Sequence, residues 1–314
     1  MAAGFTGYSL PDDLLSGNGL RIIDGMIKGI PVIGPAISSG FFGGEFPGTE
    51  VVARLYSLHI MIVPALIIVL IGVHLMMVII HKHTHYSGPG RTDDNVVGYP
   101  LAPVYVAKAG GFFFLVFGVI AAISATFTIN PIWNYGPYDP SPVSAGTQPD
   151  WYIGWLDGAL RLAPSGWDIS VFGYVIPMGV MVPLVVSLLF LGLVAAYPFI
   201  ENWVTKDKRE HHVLDRPRNN PTRTAIGAAG VTFYGVLWAG ASTDLIATNF
   251  QMSLNQVLVA MQILLIIGPV IAYWVTKRAC LSLQRKDREM VLHGRETGRI
   301  VRLPHGEFIE VHEP

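Results

Sequence analysis

Two histidines, His59 and His74, stand fifteen residues apart inside one apolar run, HIMIVPALIIVLIGVHLMMVII. An imidazole can hand a ring-nitrogen lone pair to a metal. It is also costly in hydrocarbon unless it has a partner, so two on one stripe point to buried acceptors at two depths. Fifteen residues of helix make about 4.2 turns, which puts the rings roughly 60° apart and about 22 Å apart along the axis. Haem iron suits imidazoles so placed. A single membrane histidine more often hydrogen-bonds a neighbouring helix, and the pair alone leaves that reading open.

A second set of reactive groups lies between residues 130 and 171, a stretch dense in Pro, Gly, Trp and Tyr that also carries Asp150, Asp157 and Asp168. A carboxylate among apolar rings has its charged form disfavoured, which suits proton pickup from a neutral substrate. The same aromatic content also fits a simple interfacial belt.

Positioning these groups takes a membrane frame. The 314 residues are 51% apolar and 14% charged, with a mean hydropathy of +0.46. That is the composition of a polytopic membrane protein. Five stretches are long enough to span, about 55–80, 109–129, 172–198, 224–246 and 254–276. The expected fold class is therefore an all-α polytopic membrane protein with five transmembrane helices. An N-terminal extracytoplasmic helical segment and a cytoplasmic C-terminal tail complete it. The opening GFTGYSLPDDLLSG has neither the basic start nor the apolar core of a signal peptide. The lone cysteine, Cys280, excludes an internal disulfide, and also an iron–sulfur cluster or thiolate zinc site built by this chain alone.

Orientation follows from Lys and Arg. The connection 201–223 carries Lys206, Lys208, Arg209, Arg216, Arg218 and Arg223, and eight more lie between Lys277 and Arg302. The connections 130–171 and 247–253 together carry only Arg161. Alternating spans then put the N-terminus outside and the C-terminus in the cytoplasm of a plasma-membrane protein.

The segment Pro149-Asp150-Trp151-Tyr152 resembles the Pro-Glu-Trp-Tyr motif of cytochrome b from quinol–cytochrome c reductases, and its Asp resembles the actinobacterial branch. Arg54 precedes His59 by five residues, as an arginine precedes the first ligand of that family's fourth helix. The opening GYSLP resembles the end of the third helix, and HGRETGRIVRLPHGEFIEVHEP resembles the branch's C-terminus. The resemblance makes the five spans the family's helices D to H. It implies two b haems, with His59 an axial ligand of the low-potential haem, His74 of the high-potential haem, and Arg54 beside the cofactor. The histidine spacing is one residue longer than in the mitochondrial form, and Pro64 places the extra residue between His59 and the proline.

By the same resemblance Asp150 and Tyr152 are catalytic in quinol oxidation, Asp150 taking the proton. Pro149, Trp151 and Asp157 shape the quinol pocket. The substrate is a quinol, expected to be menaquinol. One electron would pass to a Rieske iron–sulfur subunit and the other through the two haems to a quinone on the cytoplasmic side. A cytochrome c subunit, a cytochrome oxidase, membrane lipid and a second copy of the complex are the further partners expected, and no nucleic acid.

On this alignment the family's helices A and B have no counterpart, so the chain is expected to supply one ligand of each bis-histidine haem. The second axial ligands would come from missing helices or a partner, the chain being a gene fragment or a split subunit. The segments expected are 1–54 (the C–D connection), 55–130 (helices D and E), 131–171 (the quinol loop), 172–276 (F, G and H) and 277–314 (the tail). At the inner site, Lys108 and Ala109 align with a Lys-Asp pair. His81, His83 and His85 could donate protons there, cap a helix end, or hold zinc, while His211 and His212 are expected to face water. Two other readings stand beside this one: an ion-conducting transporter, and a helical bundle that binds no haem.

Overall fold

The computed structural model describes residues 1–96, 98, 100–127, 135–139, 141, 148–164 and 166–313. The expected boundary between residues 130 and 131 lies outside them. The chain opens with three short helices, α1 (Ala2–Tyr8), α2 (Leu14–Lys28) and α3 (Gly34–Phe42). Helix α2 starts where it does because Asp13 is extended and its carboxylate accepts from Ser16 N, while the Ser16 side chain returns the bond. Such a capping box stabilises a helix by about 1 kcal/mol. Asp24, buried on α2, accepts from Ser38 Oγ of α3 at 2.5 Å and from Lys28 Nζ at 2.8 Å, which ties the two helices together. Gly43, left-handed at φ 77°, ends α3. Phe42, Leu20, Val51 and Leu55 then form a core with Phe5 and Leu10 around the start of the first span. The expected helical N-terminal segment is therefore present.

That span, α4, runs Val51–His81, so the expected boundary at residue 54 falls inside a helix. It carries one π-turn, Leu58–Ile62, in which Val63 N–H reaches back to Leu58 O. Pro64 accounts for it: with no N–H and a ring that crowds the carbonyl four residues back, it cannot continue a regular α-helix. A π-turn takes in one extra residue. The phase between His59 and His74 is then that of fourteen α-residues, about 40° to the other side rather than 60°.

The second span, α5, is Leu101–Thr126. Helix α6 (Gly154–Leu162) lies outside the spans. The bundle follows with α7 (Met178–Thr205), α8 (Pro221–Gly240), α9 (Thr243–Asn249) and α10 (Leu254–His293). Four described helices are long and apolar enough to cross a membrane; the fifth expected span is α8 with α9, bent by 68°.

The fold is the expected helical membrane fold, with short strand pairs beside the helices: β1 (His85–Tyr86) pairs in parallel with β4 (Val213–Leu214), and β2 (Ile169–Val171) pairs with β3 (Tyr174–Ile176). A last hairpin joins β5 (Arg295–Arg302) to β6 (Phe308–Glu313). Within 277–314, α10 continues to His293. Its apolar run ends near 276, but the following residues are good helix formers, and Arg218 Nε holds Asp287 at 2.8 Å. One expectation needs correction: His212 is only 8% exposed and does not face water. Its backbone N and that of Val213 donate to Asp93 Oδ1 at 2.7 and 2.8 Å. Those bonds hold the Asp93 carboxyl below its usual range and clasp the 82–100 connection to the 206–216 connection.

Helix α8 lies between α6 and α10. Trp155, Ala159, Leu162 and Leu237 form its core with Phe233, Tyr234, Leu258, Met261 and Leu265. Gly158 lets the backbones meet, since a Cβ there would fall on the Leu237 carbonyl oxygen. Gly158→Ala is therefore expected to cost about 1–3 kcal/mol through overpacking. A lower thermal midpoint of the detergent-solubilised protein checks this, and an unchanged one would refute the close approach.

Candidate functional site

The α4 face carrying His59 and His74 packs against little, and neither α4 nor α5 has any buried residue in its apolar window. His59 sits in the π-turn beside α1. Its Nδ1 lies 3.1 Å from Thr6 Oγ1, and that hydroxyl already donates to Ala2 O at 2.8 Å. The Thr6 oxygen must then accept, so His59 carries its proton on Nδ1 and keeps the Nε2 lone pair. This is the tautomer a metal-ligating imidazole needs, with its other nitrogen held by an outer partner. Gly7 permits the approach: a Cβ there would stand 2.5 Å from His59 Cε1. His74 is exposed on the same helix at membrane depth. Each imidazole can thus offer a nitrogen lone pair to a metal centre such as haem iron, one at each depth.

Arg54 sits elsewhere in this corner. Its guanidinium donates to the Gly40 and Phe41 carbonyls at the end of α3, the latter at 3.0 Å, and pairs with Glu50. It braces α3 against α4, five residues from His59.

A cavity of about 560 Å³ opens between α1, α2 and the segment 148–161, with Asp244 of α9 at its edge. The backbone of Pro149–Tyr152 is pinned there from several sides. Ile153 N and Gly154 N donate to Asp150 O at 3.0 and 2.9 Å. Trp238 Nε1 donates to Trp151 O at 2.9 Å, and Trp155 Nε1 to Tyr152 O at 3.0 Å. Pro149, Asp150, Tyr152 and Asp157 line the cavity together with Phe5 and Tyr8 of α1. Trp151 does not: its ring is 74% exposed and meets Tyr152 edge-on at 6.0 Å. Asp168 is also exposed and away from the lining.

The Tyr152 hydroxyl donates to Asp150 Oδ2 at 2.6 Å. Burial, then the Asp150 carboxylate, pushes the Tyr152 phenol far above its usual range, and burial does the same to Tyr8. Both phenols stay protonated across physiological pH, and Asp150 is the acidic side chain beside them. Asp157 is pushed up by burial, against the pull of Arg161, whose Nε lies 2.7 Å away. Arg161 Nη1 also reaches Asp244 Oδ1 at 3.1 Å, and Gln148 Nε2 donates to Asp244 Oδ2 at 3.2 Å. Sequence reading missed Asp244, Gln148 and the α1 residues, since only tertiary packing brings them to the motif. The cavity-facing Gln148 directly precedes Pro149, the one signal available.

On the other side of the molecule, His85 Nε2 contacts Thr92 O at 2.9 Å, and its backbone N donates to His212 O at 2.8 Å. No group of three or more His, Cys, Asp or Glu among the described residues could hold a metal ion, which leaves no zinc site at His81, His83 and His85.

Comparison with known proteins agrees with this arrangement. Residues 1–137 match the family described as cytochrome b (N-terminal)/b6/petB. The whole chain is 58% identical to the cytochrome bc1 complex cytochrome b subunit of Streptomyces coelicolor, covering 57% of that protein. It is 48% identical to the same subunit of Mycobacterium leprae, again over all of the chain and 57% of the relative. The chain thus spans rather more than half the length of the curated relatives it matches. Among solved structures, a chain of a hyperthermophilic respiratory Complex III aligns with a TM-score of 0.53 at 20% identity, over 87% of this chain and 67% of that one, which is a likeness of fold. The expectation that the chain lacks helices A and B draws no support here, because the family model aligning with residues 1–137 is itself an N-terminal one. With that detail set aside, the sequence matches and the helical membrane fold agree: the chain is similar along its whole length to cytochrome b subunits of bc1 complexes.

Proposed function

We propose that this chain is the quinol-oxidising, haem-bearing part of a bc1-type quinol–cytochrome c reductase. The observation that carries the proposal is the cavity in which Asp150 and Tyr152 stand one short helix from His59. A quinol in the cavity gives a hydroxyl proton to Asp150: the substrate O–H bond breaks and an Asp150 O–H bond forms. Tyr152, held protonated, steadies the carboxylate by its hydrogen bond and aims the free oxygen into the cavity. Apolar groups from α2, including Ile22, Ile23 and Met26, give the ring an apolar wall. Phe5 and Tyr8 present one side of α1 to the substrate and Thr6 presents another to His59. The separation is thus of the order of one helix diameter, about 10 Å.

Two b haems, one on His59 and one on His74, would supply one-electron transfer between the two depths. Each histidine would give one ring nitrogen to its haem iron, on the open apolar face of α4. Arg54 braces the α3–α4 corner that holds the first of these sites. The charge map puts the cavity outside and the clasp around Asp93 in the cytoplasm, with a Rieske iron–sulfur subunit and a cytochrome c subunit as partners. A menaquinol is the proposed substrate, in a homodimeric complex that hands electrons on to an oxidase. The segments 1–54, 55–130, 131–171, 172–276 and 277–314 then serve as cavity wall, haem helix with its neighbour, motif loop, bundle and cytoplasmic extension.

Replacing both His59 and His74 by Ala is expected to abolish the b-type reduced-minus-oxidised spectrum of membranes holding the assembled complex. Survival of that spectrum would remove both histidines as ligands. Asp150→Asn should leave haem content intact while slowing quinol oxidation about 10²–10⁴-fold, the usual contribution of a positioned base; unchanged turnover would take Asp150 out of the mechanism. Thr6→Val removes the acceptor of the His59 Nδ1 proton. Losing such an outer partner typically weakens metal binding about 10–100-fold, so one b-type signal should wash out under detergent while the other persists. Equal retention of both would argue against the assigned tautomer.

A further inference from the structure

Two arginines on α10 stand at the edge of the membrane with no acid to answer them. The apolar run of this helix ends near residue 276, so Arg278 sits about half a turn beyond the hydrocarbon, at the level of lipid headgroups. Its guanidinium lies over the Trp274 ring, 5.2 Å from the centroid. Arg285 folds the same way: its Nε donates to Leu281 O at 3.5 Å, so the side chain leans back along the helix toward the bilayer. Lys277 repeats the pattern on the flank, where its Nζ donates to Tyr273 Oη at 3.1 Å and lies 5.4 Å from that ring.

Arg161, Arg218 and Arg223 each hold a carboxylate, of Asp157, Asp287 and Glu201. Arg278 and Arg285 hold none among the described residues. The acids that follow them in sequence are engaged elsewhere, Asp287 with Arg218 and Glu289 with His293 at 3.4 Å. Both arginines also face away from the packed side of α10. That side is marked by Cys280, buried with its Sγ 3.8 Å from Pro217 O. At 3.6 residues per turn, Ile267, Ile271, Trp274, Arg278 and Arg285 all lie roughly 120–180° round the helix from Cys280. The three apolar side chains among them are exposed. One stripe therefore runs from aliphatic groups, through an indole at the boundary, to two guanidinia without acids.

We propose that this stripe binds one anionic phospholipid, whose phosphate accepts from Arg278 and whose acyl chain lies along Ile271 and Ile267. A guanidinium presents a fork of donors that matches phosphate oxygens, and Trp274 keeps that fork at headgroup height. Arg285, about 10 Å further along the axis, closes on the headgroup from the water side. Lys277 adds a third positive charge beside them. A zwitterionic lipid brings the same phosphate but also an ammonium, which these three cations repel. The site therefore selects a headgroup of net negative charge, such as a glycerol phosphodiester. Lipid is the occupant that matches the stripe at every level, apolar below the boundary and anionic at it. The site stands apart from the cavity and does not depend on what the cavity binds.

The test is native mass spectrometry of the purified complex, titrated with dioleoylphosphatidylglycerol and, separately, with dioleoylphosphatidylcholine. The wild type is expected to retain one more phosphatidylglycerol than phosphatidylcholine per copy of this chain. Each basic residue beside an anionic headgroup strengthens binding about fivefold. Arg278→Gln combined with Arg285→Gln should then weaken that phosphatidylglycerol about 25-fold and leave phosphatidylcholine unchanged. Arg278→Lys with Arg285→Lys keeps both charges and should restore most of the binding. Lys286→Gln, on another side of the helix, should have little effect. Equal retention of the two lipids by the wild type, no loss in the double Gln variant, or an equal loss from Lys286→Gln overturns the site. Displacement of the lipid by glycerophosphoglycerol, its headgroup without tails, at equal concentration would make this a site for a soluble anion and overturn the lipid assignment.

Discussion

The hydrogen bond between His59 and Thr6 joins the first span to the short helices ahead of it, beside the core around Phe42. On one side is an apolar helix with no buried residue in its spanning window, and on the other the short helices that wall the cavity. An imidazole in hydrocarbon cannot draw on water, so its nitrogens must be answered by protein or by a ligand. Thr6 answers one of them. Much of the geometry near the N-terminus serves that single bond: the core around Phe42 seats α4 against α1, Gly7 lets the ring approach, and the π-turn brings it to the right side of the helix.

The cavity obeys the same constraint with different groups. Its charges are paired inside the wall, Asp157 with Arg161 and Arg161 with Asp244, and its phenols remain neutral. The lining is mostly apolar, with a few polar side chains such as Asn18, Arg21 and Asp150 among it. Such a lining holds a flat hydrophobic ring by area and orients it by a few polar contacts.

How much of this was legible beforehand depends on the range over which each feature is encoded. The spans were readable because a run of twenty apolar residues is a local signal, and the start of α10 falls at residue 254 as hydropathy suggests. The pairing of Asp150 with Tyr152 is also local, two residues apart. The bend between α8 and α9 was invisible to a hydropathy window, which sees composition and not direction. His212 was misread for a related reason: a charged neighbourhood suggests solvent, yet Asp93, over a hundred residues earlier, reaches across to hold its backbone. Asp244 and Gln148 escaped notice because neither belongs to a recognisable pattern, and only the folded chain places them side by side. Pro64 had flagged an extra residue near His59, but the sequence could not say that a π-turn would take it in.

The length of α10 carries a consequence of its own. Forty helical residues make a rod about 60 Å long, and a bilayer's hydrocarbon occupies only about 30 Å of it. The remaining turns project into water as a stiff mast, stayed near its base where Cys280 is buried near Pro217 and higher up where Arg218 grips Asp287. At its tip stands the hairpin of β5 and β6, held roughly 25 Å from the end of the apolar run. A protein docking on that hairpin would meet it at a fixed height above the bilayer, and the register of a single helix would set the gap.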